Sequence, residues 1–165
     1  MHVRKWAKGL AAFALVLTIF PIGTVRAEEE LTLDGESAIL IDADSGAVLY
    51  EKNADERHYP ASITKIMTVY LALSRGSLDQ TLTATDTAID NIDRKSSHIW
   101  LDYGEELSLK DACYAAIMAS ANDASNVLAE AVGGSQNEFA EMMNEAAAAA
   151  GSKNTHFANA HGLPD

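Results

Sequence analysis

The stretch "RHYPASITKIMTVYLALSR", from Arg57 to Arg75, constrains this chain most, because between its two end arginines it carries a single formal charge, Lys65. Pro60 stops an extended segment, and residues 63–73 then read as a helix that is apolar on almost every side. A helix of that kind belongs at the centre of a domain. An ammonium inside it is either a lysine whose stem lies along apolar surface while its head reaches water, or a buried amine placed there for chemistry. This stretch alone leaves both open.

Ser62 stands three residues before Lys65, a spacing that puts the two side chains on one helix face and within mutual reach. In a dry setting the charged amine is disfavoured and its pKa falls, so it can take the proton of the neighbouring hydroxyl and leave an activated nucleophile. The bare pattern Ser-x-x-Lys is weak evidence, since ordinary composition produces it about once by chance in a chain of this length. A second candidate is Ser120-Ala121-Asn122, a Ser-x-Asn at the end of an apolar helix. Two further copies, at Ser135 and Ser152, are explained by helix capping and by a loop after Gly151. Capping of the following helix by Asn122 or Asp123 is the plainer reading of the first copy and is compatible with the functional one.

Around these candidates the chain organises simply. "SAILIDADSGAVLYEKN" reads as two strands about an Asp-Ser-Gly turn, and "TLTATDTAID" has strand-like composition without a clear period. Ser108 with Asp111 opens a second apolar helix, and Ser135 with Glu138 opens a last one that runs to Ala150 with Phe139, Met142, Met143 and Ala146 inside. Between them a helix ends at Gly133 and Gly134, and residues 153–165 read as loop. A lone two-stranded sheet is marginal in water, so the sequence is expected to be part of a larger fold.

Residues 1–27 have a basic start at Arg4, Lys5 and Lys8, an apolar core from Leu10 to Phe20, and small residues at Val25 and Ala27. That is the pattern of a secretory signal peptide, with an uncleaved membrane anchor as the alternative. Residues 28–36 then form an acidic linker. Without the leader the chain keeps 8 bases against 24 acids, a balance that disfavours nucleic acid and anionic lipid as partners. The single Cys113 excludes an internal disulfide and reads as a small core residue. No Gly-x-Ser-x-Gly, His-Glu-x-x-His or Gly-Lys-Ser/Thr occurs, and His2, His58, His98, His156 and His161 lack metal-ligand spacing. No metal and no cofactor are expected.

Three strings carry a resemblance: "YPASITKIMT", "GEELSLKDACYAAIMASANDASNVLAEAVGGS" and "MMNEAAAAAGSKNTHFANAHGLPD". In this order, over about residues 37–165, the chain closely resembles the serine-type D-alanyl-D-alanine carboxypeptidases, the low-molecular-weight penicillin-binding proteins. The resemblance implies an α+β, β-lactamase/penicillin-binding transpeptidase-like fold, a helical cluster beside an antiparallel sheet, with residues 37–165 as the N-terminal portion of the catalytic domain, incomplete at the C-terminus. It implies that Ser62 attacks the peptide bond between two terminal D-alanines of a peptidoglycan stem peptide, that Lys65 is the general base, and that Ser120 relays protons. Asn122 would hydrogen-bond the substrate backbone, the backbone N–H of Ser62 would supply one oxyanion donor, and β-lactams would inhibit by stalling at the acyl-enzyme.

Two departures stand against the pattern. Position 121 is Ala where many members of the family have Gly, and the third motif, Lys-Thr-Gly, occurs nowhere in these 165 residues. In the family that motif binds the substrate carboxylate, so the 165-residue chain by itself is expected to be nearly inactive. The expected location is the cell envelope, outside the cytoplasmic membrane or secreted, with membrane association through a further C-terminal segment. A serine β-lactamase and a non-catalytic module binding peptidoglycan or β-lactams are the alternatives.

Overall fold

The computed structural model describes residues 31–164, so the expected signal peptide lies outside the described residues. The chain divides into two units, one ending at Glu56 and one beginning at Arg57. In the first, β1 (Ala38–Ile41) pairs antiparallel with β2 (Val48–Lys52), as the sequence pattern predicts. The turn closes because the Asp42 carboxylate accepts the Ser45 backbone N–H at 2.8 Å and the Ser45 hydroxyl at 2.5 Å, while Gly46 takes the positive φ of +73°. Those Ser45 hydrogen bonds favour the charged carboxylate and hold the Asp42 pKa below its ordinary value. The Lys52 ammonium fastens the preceding segment by donating to the carbonyls of Leu33 and Gly35, each at 2.7 Å.

The second unit runs from a single 3₁₀ turn (Ala61–Ile63) into α1 (Thr64–Arg75), β3 (Thr81–Thr83), α2 (Asp86–Asp90), β4 (Glu106–Ser108), α3 (Leu109–Met118), α4 (Asn122–Gly133) and α5 (Gln136–Ala149). At the predicted capping boxes the serines cap their helices and bond the acid three residues on. Ser108 Oγ accepts the Asp111 N–H and donates to its carboxylate, and Ser135 Oγ does the same with Glu138. The ambiguous segment resolves into both states: β3 pairs antiparallel with β4, and Thr85 caps the short α2 by accepting the Ala88 N–H. Nothing in the sequence reading marked β4, whose three residues lead straight into the Ser108 cap.

The centre of this unit is not the helix the apolar pattern selects. α1 buries Lys65, Thr68, Leu71 and Ala72 along one side, but Ile66 and Tyr70 on the other remain 64% and 60% exposed. There Ile63, Ile66, Met67, Tyr70 and Phe157 line an open apolar groove of about 340 Å³. The helix buried on all sides is α4, enclosed from Asn122 through Ala129 and touching α1, α2, α3, α5 and β3. Ala124, Ser125 and Ala129 let its neighbours approach closely. Most of its polar groups find partners within the protein: Ser125 Oγ donates to the Ala121 carbonyl at 2.7 Å and Asn126 Nδ2 to that of Ala88 at 3.0 Å, while Asn126 Oδ1 is buried without a partner among the described residues. Polar composition disguised a core helix.

The terminal loop is also part of this packing. Gly162 has φ +83°, and a Cβ there would lie 2.0 Å from the Ala61 carbonyl oxygen and 2.7 Å from Thr64 Oγ1. Gly162→Ala is therefore expected to cost roughly 2–5 kcal/mol, the left-handed backbone and the overpacking together. Gly134→Ala is the control: it shares a positive φ but meets only the flexible Glu138 carboxylate, at 3.1 Å. Urea unfolding should show a much larger loss of midpoint for Gly162→Ala, and equal losses would discount the close approach.

Candidate active site

The turn before α1 sets Ser62 at its surface and Lys65 one helical turn deeper. Ala61 bends the entry with φ +49°, Ser62 is exposed, and Lys65 is only 1% exposed. The amine is thus buried, and its Nζ donates to Ser62 Oγ at 3.1 Å and to the His161 carbonyl at 3.0 Å. Burial lowers the Lys65 pKa from 10.5 to about 8. At pH 7 roughly one molecule in ten then holds this amine neutral, against about one in three thousand for an unperturbed lysine.

Ser120 comes from the break between α3 and α4. It adopts φ +54°, a conformation L-residues rarely take, and its Oγ lies 2.6 Å from Ser62 Oγ. Strain of this kind costs on the order of 1–3 kcal/mol per residue and collects where neighbouring structure enforces it. The result is a chain of three groups, Lys65 Nζ, Ser62 Oγ and Ser120 Oγ, joined by hydrogen bonds. With the amine charged, protons point outward along it from Lys65. With the amine neutral, the lysine lone pair can accept from Ser62 and Ser120 can donate to Ser62, so the chain can carry a proton in either direction.

Asn122, the fourth residue singled out in the sequence, is 3% exposed at the first position of α4. Its backbone N–H donates to the Ser97 carbonyl at 2.9 Å and its Nδ2 to Ser96 Oγ at 2.8 Å. The capping reading holds in part: Ala121 is the N-cap and makes no side-chain cap bond, but Asp123 Oδ1 accepts the first-turn N–H of Ala124 at 2.8 Å. The same carboxylate accepts the backbone N–H groups of Ile99 at 3.1 Å and Leu101 at 3.2 Å. It thereby ties the 96–101 loop to α4, across Trp100 with its φ of +63°.

Three contributors went unread in the sequence. Asp123 holds the loop, Ser96 meets Asn122, and the 160–161 backbone receives α1, with Thr68 Oγ1 donating to the Ala160 carbonyl at 2.6 Å. A buried acid beside Asn122 could have signalled the first. The others act through loop positions with no pattern of their own. Cys113 is buried among apolar groups, which pushes its thiol pKa up. Among the described residues no group of three or more His, Cys, Asp or Glu could hold a metal ion, and no helix is long and apolar enough to cross a membrane.

The chain as a whole has relatives. Residues 24–165 match the family described as D-alanyl-D-alanine carboxypeptidase. The chain belongs to that family. It is 39% identical over 161 residues to the D-alanyl-D-alanine carboxypeptidase DacF of Bacillus subtilis, covering 92% of this chain and 40% of that relative. Among solved structures, the D-alanyl-D-alanine carboxypeptidase DacD of Francisella tularensis superposes with a TM-score of 0.77 at 32% identity, covering 90% of this chain and 38% of the other. Penicillin binding protein 5 of Haemophilus influenzae gives a TM-score of 0.76 at 36% identity, covering 84% and 42%. The α+β fold is accordingly that of the penicillin-binding D-alanyl-D-alanine carboxypeptidases. The chain spans about two fifths of the length of these relatives.

Proposed function

We propose that the whole protein is an exported serine D-alanyl-D-alanine carboxypeptidase of the cell envelope that removes the terminal D-Ala of peptidoglycan stem peptides through an acyl-enzyme and is inhibited by β-lactams. The observation that carries this reading is the buried Lys65 amine 3.1 Å from an exposed serine hydroxyl, itself 2.6 Å from a second serine. Ser62 Oγ attacks the peptide carbonyl, and its proton passes to Lys65. The C–N bond then breaks, and the departing D-Ala amine receives a proton returned by way of Ser120. Water attacks the ester, releases the shortened peptide and restores Ser62. Asn122 holds the substrate backbone on the acyl side, and the Ser62 N–H meets the developing oxyanion.

Residues 1–27 act in this proposal as the export signal, residues 28–36 as a linker and residues 37–165 as part of the catalytic domain. The missing Lys-Thr-Gly bears on activity directly. In the family the segment carrying that motif also supplies the second oxyanion donor; losing one such donor typically costs ~10²–10³ in rate, and the clamp on the substrate carboxylate goes with it. A chain of these 165 residues alone then labels weakly or not at all with β-lactams. The absence of Lys-Thr-Gly from these 165 residues favours a second reading for the 165-residue chain only, a peptidoglycan- or β-lactam-binding module without turnover.

The test is adduct mapping. Protein expressed from the complete reading frame is incubated with labelled penicillin, digested and sequenced by mass spectrometry. One adduct on the peptide containing Ser62 is expected. A stable adduct on any other residue, or none despite a folded protein, would discard the assignment.

A further inference from the structure

The 91–101 loop meets the Asn122 side chain through the Ser96 hydroxyl. Asp93 starts a tight turn there: its carboxylate accepts the Lys95 N–H at 2.9 Å, and its carbonyl accepts both the Ser96 N–H at 2.8 Å and the Ser96 hydroxyl at 2.5 Å. Two oxygens that close repel unless a proton lies between them, and a carbonyl has none to offer. The only proton of Ser96 Oγ is therefore committed to Asp93. Towards Asn122, 2.8 Å away, Ser96 can act only as an acceptor.

A carboxamide has two orientations, related by exchange of its oxygen and nitrogen, and its neighbours decide between them. Because Ser96 can only accept, the Asn122 group on that side must be Nδ2. The opposite orientation would face two oxygens with no hydrogen between them. Asn122 then keeps one amide hydrogen and its carbonyl oxygen, in fixed positions, for other partners. A peptide group carries the complementary acceptor and donor. The Asn122 backbone is fixed by the same loop through the Ser97 carbonyl, and the Asp123 carboxylate pins the loop at Ile99 and Leu101.

We propose that Ser96 is a positioning residue that sets the orientation of the Asn122 carboxamide and so presents one donor and one acceptor to an amide on the acyl side of the substrate. The inference rests on the reading of Asn122 as a substrate-binding residue. Without its fixed acceptor the carboxamide divides between two orientations and binds the substrate amide less well, while the chain of Lys65, Ser62 and Ser120 is untouched.

The test measures acylation by labelled benzylpenicillin of the protein expressed from its complete reading frame, with saturation curves separating binding from the limiting acylation rate. Ser96→Ala is expected to weaken binding ~10-fold, the worth of one hydrogen bond, and to change the limiting rate by less than about 2-fold. Ser96→Thr keeps the hydroxyl and should return within about 2-fold of the parent. In an Asn122→Ala background, adding Ser96→Ala should produce no further loss. Additive losses overturn the proposal. So do an unchanged Ser96→Ala protein, and equal falls in binding and rate together with a lowered unfolding midpoint. An inert Asn122→Ala points elsewhere: it removes the reading of Asn122 on which the proposal rests.

Discussion

Ser62→Ala is expected to abolish covalent labelling by penicillin while leaving the protein folded. The substitution removes the exposed oxygen that hydrogen-bonds both Lys65 and Ser120. Ser120 is not a substitute nucleophile, because its hydroxyl is held by its strained backbone against Ser62 and has no direct hydrogen bond to the amine. An exposed side chain of this size contributes little to stability, within about ±0.5 kcal/mol for typical surface sites. Thermal unfolding of Ser62→Ala should therefore overlay the parent, and gel fluorescence with a labelled penicillin should show no band. A persistent band of parental intensity would remove Ser62 from the reaction.

Lys65→Met carries the second large effect. Met has nearly the length of the lysine stem and suits a site that is 1% exposed, so the fold is retained while the amine's hydrogen bonds to Ser62 Oγ and the His161 carbonyl are lost. What goes is the lone pair that accepts the Ser62 proton. A positioned general base is worth about 10²–10⁴ in rate, and acylation measured by stopped-flow should fall within that range. A fall below tenfold would reduce Lys65 to a structural role.

How much of this was legible follows from where each interaction lives. Ser62 and Lys65 lie within one helical turn, so their spacing alone brings them together. The contact between Ser62 and Ser120 spans 58 residues, and no period or propensity reports it. The family resemblance of the surrounding strings placed Ser120 where local pattern could not. Caps were readable because a Ser-x-x-Asp or Ser-x-x-Glu box is closed within four residues. The core was misread for a physical reason: hydrophobicity selects α1, whereas burial of α4 depends on small side chains, on Ser125 bonding back to the Ala121 carbonyl, and on Asp123 and Asn126 finding partners in other segments. Ser96 was invisible for the same cause. Its role arises from a turn that spends its one proton.

The pH dependence of acylation tests most directly whether a neutral Lys65 drives the chemistry. Burial leaves its pKa lowered to about 8, so the reactive amine is scarce below that pH and abundant above it. The second-order rate of penicillin acylation, followed from about pH 5 to pH 10, should rise tenfold per unit and level off near pH 8, and Lys65→Met should lose this rise. A parental rate that stays flat between about pH 6 and pH 9, or a rise centred near the ordinary lysine value, would contradict the account.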